Sequence, residues 1–96
     1  MDLKTRIEPG LAVIELSRAE TFGVSEGLIE TINRLLDHGH RQIVVDLENV
    51  RFLDSAEIGA IVQAYATVSR RGGVLWLEGN RHLIDLFGPT IKPPTT

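Results

Sequence analysis

The stretch Ile43 to Tyr65, IVVDLENVRFLDSAEIGAIVQAY, constrains the fold more than any other part of the chain. It opens with three consecutive β-branched apolar residues, Ile43, Val44 and Val45, and then turns polar. From there apolar side chains recur at Ile58, Ile61, Val62, Tyr65 and, just beyond, Val68. A short unbroken apolar run is the mark of a strand covered on both faces, which implies parallel neighbours. The second pattern falls on one face of a helix. A strand that leads into an amphipathic helix is half of a β-α-β unit, and such units cross over right-handed to give parallel pairing.

The flanking segments extend this unit. LKTRIEPGLAVIEL has two extended pieces around Pro9-Gly10, a pair suited to a type II turn because proline fixes φ and glycine accepts φ > 0. The expectation is an antiparallel hairpin of Leu3–Glu8 with Leu11–Leu16, the second strand buried on both faces. Leu28, Ile32, Leu35 and Leu36 have helical spacing, with Gly39 at the exit and Arg34 and His38 near the negative end of the dipole. Arg70, Arg71 and Gly72 close the second helix in the same way, VLWLE at 74–78 reads as a strand, and RHLIDLFG reads as a short helix capped by Asn80. The order is β-β-α-β-α-β-α, an α/β fold with a mixed sheet of about four strands and three helices. One domain fills residues 1–96, with an ordered core of about 3–87 and a loose proline-rich tail at 88–96.

Composition excludes several classes. Cysteine is absent, which rules out disulfides and thiolate metal sites. The formal charge is −3 with scattered Lys and Arg, so a clustered basic face for nucleic acid is missing. No apolar run reaches the ~20 residues needed to cross a bilayer, and the N-terminus has no signal-peptide core. His38 and His40 flank Gly39 without further ligands nearby, so a solvated helix end is the reading and no metal is expected. There is no Walker-type loop, and no cofactor is implied.

The junction Asp54-Ser55 carries the chemistry. Asp54-x-x-Glu57 has capping-box spacing, worth about 1 kcal/mol. Capping leaves Ser55 as the first helical residue, its hydroxyl projecting beyond the carboxyl edge of the sheet, where α/β folds commonly bind ligands. A phosphoryl group there would gain from the helix dipole and be repelled by Asp54 and Glu57, changing surface potential more than stability. A serine nucleophile would need a base and an oxyanion hole, and no Gly-x-Ser-x-Gly elbow is present. No catalytic residue is assigned and the chain is read as a non-enzyme.

The ordered series Asp46-Leu47, Val50, Phe52, Asp54-Ser55, Gly59 and Arg71-Gly72-Gly73 strongly resembles the STAS domain family (sulfate transporter and anti-sigma factor antagonist) over roughly residues 3 to 87. The resemblance implies helices packed mainly against one face of a mixed sheet. It also implies, by the anti-sigma factor antagonist branch, a cytoplasmic partner-switching phosphoprotein acting in transcription regulation. Such a module binds a kinase-type anti-sigma factor and releases a sigma factor. The kinase would phosphorylate Ser55 and a phosphatase would reset it. The implied partner surface comprises Asp54, Ser55, Ala56, Glu57, Ile58 and Gly59, with Thr21 in the stretch Arg18–Thr21 that stands where relatives often read Gly-Glu-Leu-Asp. Glu57 stands where a glycine is usual, and is expected to set a long charged side chain beside Ser55. A last helix ending near Phe87 would expose apolar surface and favour a homodimer. The alternative is a non-phosphorylated interaction subunit of a membrane transport system or a stress-sensing scaffold.

Overall fold

The computed structural model describes residues 2–17, 24–88 and 91. Strands β1 (Asp2–Glu8) and β2 (Leu11–Ser17) form the hairpin, with Glu8 opposite Leu11. Gly10 adopts φ 74°, the left-handed value that the position after Pro9 needs in a type II turn. Helix α1 (Val24–Asp37) follows, then β3 (Gln42–Asn49), α2 (Ser55–Arg70), β4 (Val74–Glu78) and α3 (Arg81–Asp85). The sheet runs β1-β2-β3-β4, with β1 antiparallel to β2, and β3 parallel to both β2 and β4.

One core lies between the sheet and the helices. Ala12, Ile14 and Leu16 of β2, Ile43, Val45 and Leu47 of β3, and Leu75 and Leu77 of β4 point into it at alternate positions. Leu28, Ile32, Leu35 and Leu36 of α1 meet them, as the helical spacing predicts. Leu83 and Phe87 close the end of the same cluster, and Ile91, beyond α3, is buried with them. All three described helices therefore share one side of the sheet.

One reading is borne out and one changes against the coordinates. Val13 and Val44 are buried although they lie outside this core and point to the opposite face, so β2 and β3 are covered on both faces. On that face Val44 is registered between Val13 and Trp76, and none of the described helices packs there. Val62, expected on the buried face of α2, is instead exposed. The buried stripe runs through Glu57, Ala60, Ile61, Ala64, Thr67 and Val68, with Ile58 and Tyr65 only half-buried. Ala60 and Ala64 carry little hydropathic signal, but their small side chains let α2 pack closely against the core.

Both long helices end on the same device. Gly39 (φ 91°) donates to Leu36 O at 3.0 Å and His40 N to Leu35 O at 3.0 Å. Gly72 (φ 80°) donates to Ser69 O at 3.2 Å and Gly73 N to Val68 O at 2.9 Å. These are Schellman motifs, which satisfy the last carbonyls of each helix. The Arg71 guanidinium then reaches Asp37 Oδ1 at 2.7 Å and ties the C-terminal ends of α1 and α2 together. No helix among the described residues is long and apolar enough to cross a membrane.

The close seating of α2 is testable. Ala64→Leu should lower the unfolding free energy by about 1–3 kcal/mol through overpacking, with an unchanged slope in urea denaturation. An unaltered midpoint would mean that the space above Ala64 is not filled.

Candidate functional site at the start of helix α2

The segment 50–54 carries the chain from the end of β3 to the first turn of α2, and three anchors hold it. Val50 is buried and its N–H donates to Leu47 O at 3.0 Å. Leu53 is half-buried against the core. Asn80, at the end of the β4–α3 connection, donates from Nδ2 to Val50 O at 3.1 Å while its Oδ1 accepts from Leu83 N at 3.3 Å. One side chain thus caps α3 and braces the loop before α2. The adjoining Gly79 makes this approach possible. Its φ is 101°, and a Cβ there would lie 2.4 Å from Glu48 N, inside any tolerable contact.

The helix start is closed by reciprocal hydrogen bonds. Asp54 has extended backbone (φ −84°, ψ 174°) and its Oδ1 accepts from Glu57 N at 2.8 Å. Glu57 Oε1 accepts from Asp54 N at 2.9 Å. This is the capping box that the spacing predicts. It also corrects the expected placement of Glu57. The side chain does not stand beside Ser55 in solvent; it folds back and is 6% exposed, engaged with the backbone of the cap.

Ser55 is consequently the first helical residue, and it is exposed. Asp54, Ala56 and Gly59 are exposed around it, Ile58 is half-buried, and Thr21 lies outside the described residues. The N–H groups of Ser55 and Ala56 have no intrahelical carbonyl to meet, because they occupy the first turn. Together with the dipole of a 16-residue helix they make this end electropositive. An added anion on Ser55 Oγ would be drawn to these groups and repelled by the Asp54 carboxylate.

The site includes residues that the sequence did not assign to it. Phe52, two positions before the cap, is 59% exposed, an unusual position for a phenylalanine side chain. Val62 is 42% exposed on α2. Gly59 and Val62 follow Ser55 at four and seven residues, so they share its helix face. Phe52 stands between the apolar anchors Val50 and Leu53, so nothing local marked it as the exposed one. The second role of Asn80 had no local signal either, because its partner Val50 is thirty residues distant in the chain.

Comparison with known proteins places this geometry. The family model for the STAS domain matches residues 2–82. Comparison with curated proteins found no match. Among solved structures, the anti-sigma factor antagonist SpoIIAA in its unphosphorylated form is similar with a TM-score of 0.69 at 18% identity, over 98% of this chain and 90% of that one. The protein tm1081 of Thermotoga maritima, described as a candidate anti-sigma factor antagonist, gives a TM-score of 0.63 at 18% identity, over 94% of this chain and 83% of that one. Its NMR structure gives 0.61 at 21% identity, over 76% of this chain, which spans 59% of that one. The protein Mglu gives 0.71 at 19% identity, over 83% of this chain, which spans only 20% of that larger one. At these identities the likenesses establish the shared fold.

The capping box separates the roles of adjacent residues. Asp54→Ala should cost about 1–2 kcal/mol of stability in urea denaturation, whereas Ser55→Ala should stay within about 0.5 kcal/mol of the parent. Equal losses would show that Ser55 holds the helix start as much as Asp54 does.

Proposed function

The chain belongs to the STAS domain family, and from that membership we propose that it is an anti-sigma factor antagonist, a non-enzymatic module that binds a kinase-type anti-sigma factor and is switched at Ser55. The observation that carries this reading is the exposure of Ser55 at the first position of α2, held there by the Asp54–Glu57 capping box. Unphosphorylated, the face of Ser55, Ala56 and Gly59 with Phe52 and Val62 offers a shallow surface of small and apolar groups. A partner can approach such a face closely and bury it. Release of the sigma factor follows if that partner surface overlaps the one the sigma factor uses.

Phosphorylation reverses the interaction without unfolding the domain. The γ-phosphoryl of ATP passes to Ser55 Oγ, the hydroxyl proton leaves, and ADP departs. The product carries about −1.5 to −2 charges where the partner must desolvate the surface. Burying such a group without a matched cation is expensive, so the complex weakens while the fold persists. A phosphatase restores the hydroxyl.

A second reading is favoured by Glu57. Where a glycine is usual in the family, this chain has a carboxylate used internally, which stiffens the first turn. A rigid, unmodified helix start suits a constitutive interaction subunit of a membrane transport system or a stress-sensing scaffold.

Incubation with a cognate anti-sigma kinase and ATP separates the two. Mass spectrometry should find one added phosphate, at Ser55, and none in Ser55→Ala. Ser55→Asp should weaken kinase binding by about tenfold or more, in keeping with a charge forced into an interface. Unmodified protein that binds the kinase equally in all three forms would assign the constitutive role instead.

A further inference from the structure

The side of the sheet away from the helices has a pattern that the Ser55 site does not use. Strand alternation and register place three rows across it. Glu8, Leu11, Gln42 and Val74 form the first row, Arg6, Val13, Val44 and Trp76 the second, and Lys4, Glu15, Asp46 and Glu78 the third. Among the described residues no helix or strand packs on this side. Val13 and Val44 are shielded by their neighbours, while Val74 is 48% exposed, Trp76 is half-buried, and Glu78 is exposed. The β3–β4 side of the face thus sets Val74 and Trp76 beside Asp46 and Glu78.

The charges are unevenly matched. The Arg6 guanidinium is engaged by Glu8 at 2.6 Å and by Glu15, and the Asp46 carboxylate also lies within its field. Asp46 accepts from Glu48 N at 2.9 Å, which a backbone amide does without neutralising the carboxylate. Glu78 accepts from the Trp76 indole N–H at 3.3 Å, an equally neutral donor. On this face Lys4 and Arg6 stand against Glu8, Glu15, Asp46 and Glu78, which leaves an excess of negative charge beside an apolar strip that includes an indole.

We propose that this face docks a basic amphipathic helix from a partner protein. Four strands at about 4.8 Å spacing give a platform about 14 Å across, and a helix about 10 Å in diameter fits it. Its apolar stripe covers Leu11, Val74 and the indole. Its lysines and arginines meet Asp46 and Glu78, and one of them can lie on the ring of Trp76. A second copy of this chain does not fit the requirement. The exposed residues of α1 mix Glu30 and Asp37 with Arg34, and those of α2 include Val62, Gln63 and Ser69 ahead of a single terminal Arg70. The proposal is independent of Ser55, which lies on α2 on the helical side.

The tryptophan is the only one in the chain and sits in the proposed interface, so it reports directly. The full chain should be titrated with an 18-residue helical peptide of leucine and lysine, and with its leucine–glutamate counterpart. The lysine peptide should shift Trp76 emission to the blue with saturation, and the binding should weaken in high salt. Amide NMR shifts should centre on β3 and β4. Glu78→Lys should weaken binding about tenfold, as reversing a charge at an interface does. Val74→Lys, at an exposed edge position, should weaken it without altering the circular dichroism spectrum, and Ser55→Ala should bind as the parent does. Absence of saturable binding, equal binding of the glutamate peptide, shifts centred on the start of α2, or loss of binding in Ser55→Ala would each overturn the proposal.

Discussion

Two hydrogen bonds of 2.8 and 2.9 Å between Asp54 and Glu57 decide where α2 begins. That boundary determines which side chain stands at the electropositive mouth of the helix. A start one residue later would place Ser55 at the cap, its hydroxyl consumed by a backbone N–H and unavailable to any partner. With Asp54 as cap, the serine is relieved of structural work. The two residues divide the labour: the carboxylate satisfies the backbone, and the hydroxyl is left to solvent. Glu57 completes the arrangement from within, and its near-complete burial keeps a third polar group off the outer face.

The capping box would be useless on a loose platform, and the sheet supplies the rigidity. Val50 plugs the end of β3, and Asn80 clamps its carbonyl from the neighbouring β4–α3 connection. Gly79 allows the two backbones to meet at a distance that a side chain would forbid. Both connections leave the carboxyl edge of parallel strands, the usual place for sites in α/β folds. At the opposite end, Arg71 and Asp37 join the exits of α1 and α2. The helix is therefore held at both ends, and a partner gripping its first turn grips the whole domain. Among the described residues no helix packs on the other sheet face, so the described fold presents two surfaces of different chemistry: small and weakly polar at α2, and on β3 and β4 Val74 and Trp76 beside Asp46 and Glu78.

Local signals made most of the fold legible. The Pro9-Gly10 turn, the apolar spacing of α1, the capping box and the Arg-Gly-Gly exit of α2 each involve residues within a few positions of one another. Such interactions are written in short windows of sequence. What was not legible was lateral or long-range. Val44 read as covered, but by what was open, because an apolar side chain has the same identity whether a helix or adjacent strands cover it. Val62 looked buried because hydropathy outweighed the small side chains of Ala60 and Ala64, which mark the true contact stripe. Glu57 was readable as a cap residue from its spacing, yet its burial depends on the packing of the whole first turn. The brace from Asn80 to Val50 joins residues that only the folded sheet brings together.

Distance along α2 limits what a charge at Ser55 can do. Each helical residue advances about 1.5 Å, so Val62 lies about 10 Å from Ser55 along the axis. That is close to the distance over which physiological salt screens exposed charges, about 8 Å. A phosphoryl group would thus act strongly on contacts to Asp54, Ala56 and Gly59 and only weakly on contacts to Val62. Its effect on the domain itself is also restrained. The dipole and two first-turn N–H groups favour it by about 0.3–1 kcal/mol. Repulsion from the Asp54 and Glu57 carboxylates opposes it. Opposed terms of similar size leave the fold nearly indifferent, and a partner packed on the first turn has no such compensation. The same address that makes Ser55 structurally expendable is what would make it effective as the proposed switch.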